Sequence, residues 1–140
     1  MRTKTEWLVI HCAATRPGMD IGVDEIREWH KARGFRDVGY HFVIRRDGTL
    51  EKGRGLYEVG AHEPKVNRSS VGICLVGGVD DNMQPEDNFT EAQDVALLDL
   101  LDELCSIFPQ ARIAGHRDFA NKACPSFDVQ SWLGPIGFPV

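Results

Sequence analysis

Apolar positions along the chain alternate between the two-residue period of strands and the 3.6-residue period of helices. The run Trp7-Leu8-Val9-Ile10-His11 predicts a short buried strand, followed by a loop marked by Pro17-Gly18. Between about Val23 and Arg33, Ile26, Trp29 and His30 recur at i, i+3, i+4. That spacing predicts a helix with these three on its inner face and Gly34 as its stop. Tyr40 to Arg46 alternates with a period of two and runs into Asp47-Gly48, a hairpin signal that makes Thr49 to Lys52 the returning strand. Residues 53 to 70 form a long loop carrying His62, and Ser70 to Val76 is a central strand ending at Gly77-Gly78. Thr90 with Gln93 makes a capping box that opens a helix to about Ile107, stopped by Pro109. Val95, Leu98, Leu101 and Cys105, with Leu97 and Leu104, form its apolar stripe. A short strand from Arg112 to Ala114 leads into His116, and Asp128 caps a last turn holding Trp132. This order predicts an α/β fold, a mixed central β-sheet flanked by helices, with residues 1–140 as a single domain.

The composition narrows the class. Of 140 residues, 42% are hydrophobic and 26% charged, which excludes a disordered chain. Sixteen basic against 21 acidic residues leave a net charge of −5, with Arg45-Arg46 the only adjacent basic pair. Nothing in that distribution suits displacement of phosphate counterions, so a nucleic-acid partner is not expected. No apolar run approaches the roughly 20 residues that cross a bilayer, so no membrane insertion is expected. The apolar stretch after the first residues is too short for a secretory signal, which makes residence in a cytoplasm the default.

Four cysteines, none in a CxxC pair, are expected to be reduced thiols in such a compartment. Cys74 and Cys105 lie in apolar surroundings and read as small core residues. Cys124 lies in the polar stretch Asn121-Lys122-Ala123-Cys124-Pro125-Ser126, a setting for a ligand or a nucleophile. His11 ends one strand, His116 follows another, and Cys124 comes eight residues later. Two imidazoles and a thiolate are a zinc set that leaves the fourth tetrahedral position to water. A second reading makes Cys124 a nucleophile with His116 as its base and Asp118 orienting that base. A third makes the histidines hydrogen-bonded structural residues and Asp118 a turn residue. Spacing alone leaves all three open. His41 alternates with Tyr40 and points to the opposite sheet face as a structural residue, while His30 belongs to the helix stripe.

Several segments together carry a resemblance. They are Val9-Ile10-His11-Cys12-Ala13-Ala14-Thr15, Ile26-Arg27-Glu28-Trp29-His30, and Asp37-Val38-Gly39-Tyr40-His41-Phe42. Val43-Ile44, Asp47-Gly48-Thr49, Val59-Gly60-Ala61-His62, Asn67-Arg68-Ser69-Ser70-Val71-Gly72-Ile73-Cys74-Leu75-Val76-Gly77-Gly78 and Lys122-Ala123-Cys124-Pro125-Ser126-Phe127-Asp128 complete the set. In these, across nearly its whole length, the chain resembles the zinc-dependent N-acetylmuramoyl-L-alanine amidases of the phage endolysin type, which share a fold with peptidoglycan recognition proteins.

The resemblance implies Zn2+ held by His11, His116 and Cys124, with Tyr40 and Lys122 assisting catalysis. It implies hydrolysis of the amide joining N-acetylmuramic acid to L-alanine, with peptidoglycan (muropeptide) as the partner and the chain acting as a monomer. By the same resemblance His62 contacts substrate, Asn67 binds the stem peptide or orders its loop, and Asp118 orients a ligand histidine. Where some relatives carry an acidic residue in the central strand this chain has Cys74, and where others ligate with Asp it has Cys124. Both departures match the phage subgroup. One relative type also inhibits its phage RNA polymerase, an activity that does not carry over. The rival within the fold is a binding module that holds muropeptide without cutting it, which the complete ligand set disfavours. An endolysin would accumulate in the host bacterial cytoplasm and reach the wall after holin-type permeabilisation.

Overall fold

A computed structural model describing residues 1–140 begins with β1 (Trp7–Cys12), α1 (Val23–Ala32), and the hairpin strands β2 (Phe42–Ile44) and β3 (Leu50–Lys52). The chain continues through β4 (Ser70–Leu75), α2 (Glu91–Ile107), β5 (Arg112–Gly115) and α3 (Val129–Leu133). The five strands form one sheet in the order β3-β2-β4-β1-β5. All neighbours run parallel except the β2–β3 hairpin. β1 and β4, at the centre, are almost wholly buried, as near-continuous apolar runs in a sheet covered on both faces should be.

Alternation along the strands divides the interior into two cores. Leu8 and Ile10 of β1 and Val71, Ile73 and Leu75 of β4 pack with Leu97, Leu100, Leu101 and Leu104 of α2 and Val129 and Leu133 of α3. On the opposite face Val43, Cys74 and Val76 pack with Val23 and Ile26 of α1. His11, one residue after Ile10, therefore emerges on the α1 side, at the carboxyl end of a parallel strand. In open α/β sheets that end is where ligands bind.

The predicted elements are present, and the differences have physical reasons. Trp29 is 42% exposed, because the inner stripe of α1 is Val23, Ile26 and His30 and Trp29 lies beyond its edge. On α2 the buried line is Gln93, Leu97, Leu100, Leu101 and Leu104, while Val95 is 54% exposed. Gln93 joins that line because its amide reaches the strand ends: Nε2 donates to the carbonyls of Ile44 (3.2 Å) and Val76 (2.8 Å). Its Oε1 meanwhile accepts from the Thr90 N–H at 3.0 Å, completing the cap. β2 is shorter than its alternation suggests. Arg45 already enters a three-residue turn closed by Gly48 at φ +88°, where glycine carries no steric penalty. No helix is long and apolar enough to cross a membrane.

Candidate metal centre

β1 and β5 pair in parallel with Ile10 opposite Gly115, so the next rung sets His11 beside His116, their ring centroids 4.4 Å apart. The loop after β5 folds back over the end of β1. The Arg117 N–H donates to the Cys124 carbonyl at 2.7 Å, and the Cys12 N–H donates to Cys124 Sγ at 3.1 Å. One donor atom from each of His11, His116 and Cys124 consequently lies within 4.8 Å of the others, with Sγ 3.9 Å from His11 Nδ1.

Hydrogen bonds behind these residues decide which ring nitrogens face the centre. The Val66 carbonyl can only accept, so the Ser70 hydroxyl donates to it (2.6 Å) and must itself accept from His62 Nε2–H (3.1 Å). Burial holds His62 neutral, its pKa pushed down to about 3. Its Nδ1 therefore offers a lone pair, which accepts His11 Nε2–H at 2.8 Å. His11 is left with a bare Nδ1 turned toward Cys124. His62 occupies a socket cut for it, since a Cβ on Gly72 would lie 2.6 Å from the His62 ring.

The acidity of these three side chains is set by the same enclosure. Burial is the main reason His11 is held well below the usual imidazole range, with His62, His116 and Lys122 adding to it. Burial likewise lowers His116, against the opposing pull of Glu63. The Cys12 thiol beside it, with burial, pushes the Cys124 thiol up. Two uncharged imidazoles and a sulfur that is reluctant to ionise alone form a set whose natural complement is a cation. Two imidazole nitrogens and one sulfur suit a borderline-soft divalent metal. These residues could hold a metal ion.

The remaining predicted residues surround a cleft of about 450 Å3 whose walls include Tyr40, Lys122, Arg33, Phe35 and Asn67, a size that fits small-molecule sites. The Tyr40 ring lies 5.1 Å from that of His11, and burial raises its phenol well above the ordinary value. Lys122 is exposed at the rim. Asn67 turns its side chain inward, where Oδ1 accepts from the N–H groups of both His62 and Glu63 at 2.9 Å. His41 lies on the other face, fully buried, accepting from the Gly72 N–H and donating to the Glu58 carbonyl.

Asp118 does not touch His116. Its Oδ2 accepts from the Gly115 N–H at 2.8 Å and from Gln130 Nε2 at 3.0 Å, so the base-orienting carboxylate of a Cys124–His116 hydrolase is absent from that position. The group that does reach His116 is Glu63, 4% exposed, with Oε2 at 2.8 Å from Nε2. Nothing in the sequence pattern singles out Glu63. Its only cue is a place next to His62 in a loop too long to be a mere connection.

The N-acetylmuramoyl-L-alanine amidase family profile matches residues 1–127. The chain is 54% identical over 132 residues to the endolysin of Enterobacteria phage K11, covering 94% of this chain and 87% of that protein. It is 48% identical over 131 residues to the endolysin of Escherichia phage T7, with the same coverage. Among solved structures, the N-acetylmuramoyl-L-alanine amidase LysC from Clostridium intestinale URNW superposes with a TM-score of 0.80 at 28% identity, over 94% of this chain and 86% of that one.

Proposed function

The chain belongs to the N-acetylmuramoyl-L-alanine amidase family, and from that premise we propose that this endolysin cuts the amide between N-acetylmuramic acid and L-alanine of peptidoglycan with a zinc ion held by His11, His116 and Cys124. The observation that carries the metal assignment is the convergence of those three donor atoms within 4.8 Å, with His11 brought by the sheet to a loop that lies far from it in sequence and supported from behind. Bound there, zinc supplies Lewis-acid polarisation and a water acidified from a pKa of 15.7 to about 7, which an amide at neutral pH requires.

The protein's own groups do the rest. The relay His11–His62–Ser70–Val66 fixes the tautomer and tilt of His11, so the ligand needs no reorganisation when the metal arrives. Tyr40, kept protonated by its burial, offers an O–H donor beside His11. Lys122 sets an ammonium at the rim of the cleft, where negative charge develops on the amide oxygen as the carbonyl is attacked. A donor of that kind typically contributes on the order of 10²–10³ in rate. Asn67 orders the loop that carries His62, and we assign it that role rather than a contact with the stem peptide. His62 is buried with both ring nitrogens engaged, so we assign it to holding His11 rather than to substrate. The continuous pair of cores sharing one sheet supports reading residues 1–140 as one catalytic domain. We further assign this endolysin a holin-type route from the cytoplasm to the wall.

The test is metal content per chain together with mass spectrometry of products from purified murein. The expected result is one zinc per chain and release of stem peptides with a free L-alanine amino terminus. Activity that survives complete zinc removal, or glycan-strand cleavage with the amide intact, would overturn the reading.

A further inference from the structure

Both imidazoles of the metal centre are gripped by consecutive residues of a single loop. His62 turns to one side and bonds His11, and Glu63 turns to the other and bonds His116. The dipeptide is itself keyed in place, since the Asn67 side chain accepts both of its backbone N–H groups. Lys65 then ties the same loop to the segment after His116, with Nζ donating to the Phe119 carbonyl at 2.5 Å.

The carboxylate of Glu63 is an acceptor at both ends. Oε1 accepts the Lys65 N–H at 3.1 Å, and Oε2 faces His116 Nε2 at 2.8 Å. His116 must therefore carry its proton on Nε2, which leaves Nδ1 as its lone-pair nitrogen in the cluster with His11 and Cys124. A carboxylate–histidine–metal arrangement of this kind orients the ring and raises its basicity. It also brings a negative charge behind a ligand set that otherwise has only the Cys124 thiolate to offset a divalent cation.

We propose that Glu63 is the positioning residue of the metal centre, acting through His116 to fix its tautomer and tighten metal binding. The inference rests on His11, His116 and Cys124 being the ligands. Because Glu63 has no free atom for substrate, its effect belongs on metal affinity and ring state rather than on substrate recognition.

The test compares wild type, Glu63→Gln and Glu63→Ala in two measurements. Zinc affinity is read by competition with a chromophoric chelator, and the His116 tautomer by 15N NMR of the metal-free protein. Wild type is expected to show the Nε2–H form. Glu63→Gln, whose amide oxygen still accepts that proton, keeps this form while its zinc affinity falls about tenfold. Glu63→Ala shows mixed tautomers and a loss near 100-fold, within the 10- to 100-fold range that such outer partners command. If Glu63→Ala does not fold, the Glu63→Gln affinity decides. Wild-type zinc affinity in Glu63→Gln and Glu63→Ala, or an Nδ1–H tautomer in wild type, overturns the role of Glu63. Wild type that takes up no zinc at all instead removes the metal-site reading on which it stands, and the tautomer result then shows which of the two failed.

Discussion

At the scale of single residues, the proposed site separates groups assigned to hold the centre from groups assigned to face the substrate, and substitution should separate them too. Lys122 is exposed and its ammonium makes no hydrogen bond within the protein, so Lys122→Ala is expected to keep full zinc stoichiometry and an unchanged melting temperature. Its turnover on murein should fall by about 10²–10³. A rate within a factor of a few of wild type would remove its assigned role. Gly72 tests the opposite class. A Cβ there meets the His62 ring at 2.6 Å with the strand fixed on both sides, so Gly72→Ala has to displace the imidazole that supports His11. Overpacking of this sort costs about 1–3 kcal/mol. The expected signature is a drop in unfolding free energy of that size together with weakened zinc binding, measured by denaturation and chelator competition on the same samples. Loss of stability with metal affinity intact would mean that His62 does not hold His11.

At the scale of elements, most of the fold was legible because its signals are local. The capping box at Thr90 and Gln93, the turn at Asp47-Gly48 and the Asp128 cap each involve residues within a few positions of one another, and each forms as expected. The convergence of His11, His116 and Cys124 was also legible, through strand ends and a polar cysteine, although spacing alone left a metal set beside two rivals. What the sequence concealed depends on tertiary direction. Leu101 and Val95 look alike in a helical pattern, yet only a docked sheet shows that Gln93, not Val95, faces inward. Glu63 was hidden for the same reason, because its partner His116 is 53 residues away and brought to it only when β4, β1 and β5 pair side by side. The cap of α2 allows a measurement at this scale. Thr90→Ala removes the acceptor for the Gln93 N–H (3.1 Å) and the hydroxyl donor to the Arg46 carbonyl (2.6 Å). It should destabilise the protein by about 1–2 kcal/mol. Zinc affinity and turnover per folded molecule are expected to stay at wild-type values, because α2 lies across the sheet from the cleft. A change in either would show that the two faces of the sheet are coupled.

At the scale of the whole molecule, the fold keeps several imidazoles uncharged by burying them. His41 is the clearest case outside the metal centre. It sits with no exposed surface, accepting from the β4 backbone at Gly72 through Nδ1 and donating to the Glu58 carbonyl through Nε2. Protonation would turn the acceptor into a second donor facing an N–H, and burial, the largest influence, pushes its pKa down from 6.5 to about 4. A base whose folded pKa is lowered binds its proton in the unfolded chain first. Between pH 6.5 and 4 the unfolded state therefore holds more protons than the native one, and stability rises with pH across that window. Acidification through it should cost up to about 3 kcal/mol from this group alone. Urea denaturation of the metal-free protein at a series of pH values from 7.5 to 4, run beside His41→Gln, isolates the contribution from every other titrating group. The variant is expected to be the less stable protein at pH 7.5 and to close most of that gap by pH 4, because it has no proton to take up. A gap that keeps the same size across the series would show that His41 is not the neutral bridge between β4 and the Glu58 loop. The strand it bridges is the one that carries Gly72, so the same acid-sensitive contact underlies the socket in which His62 supports His11.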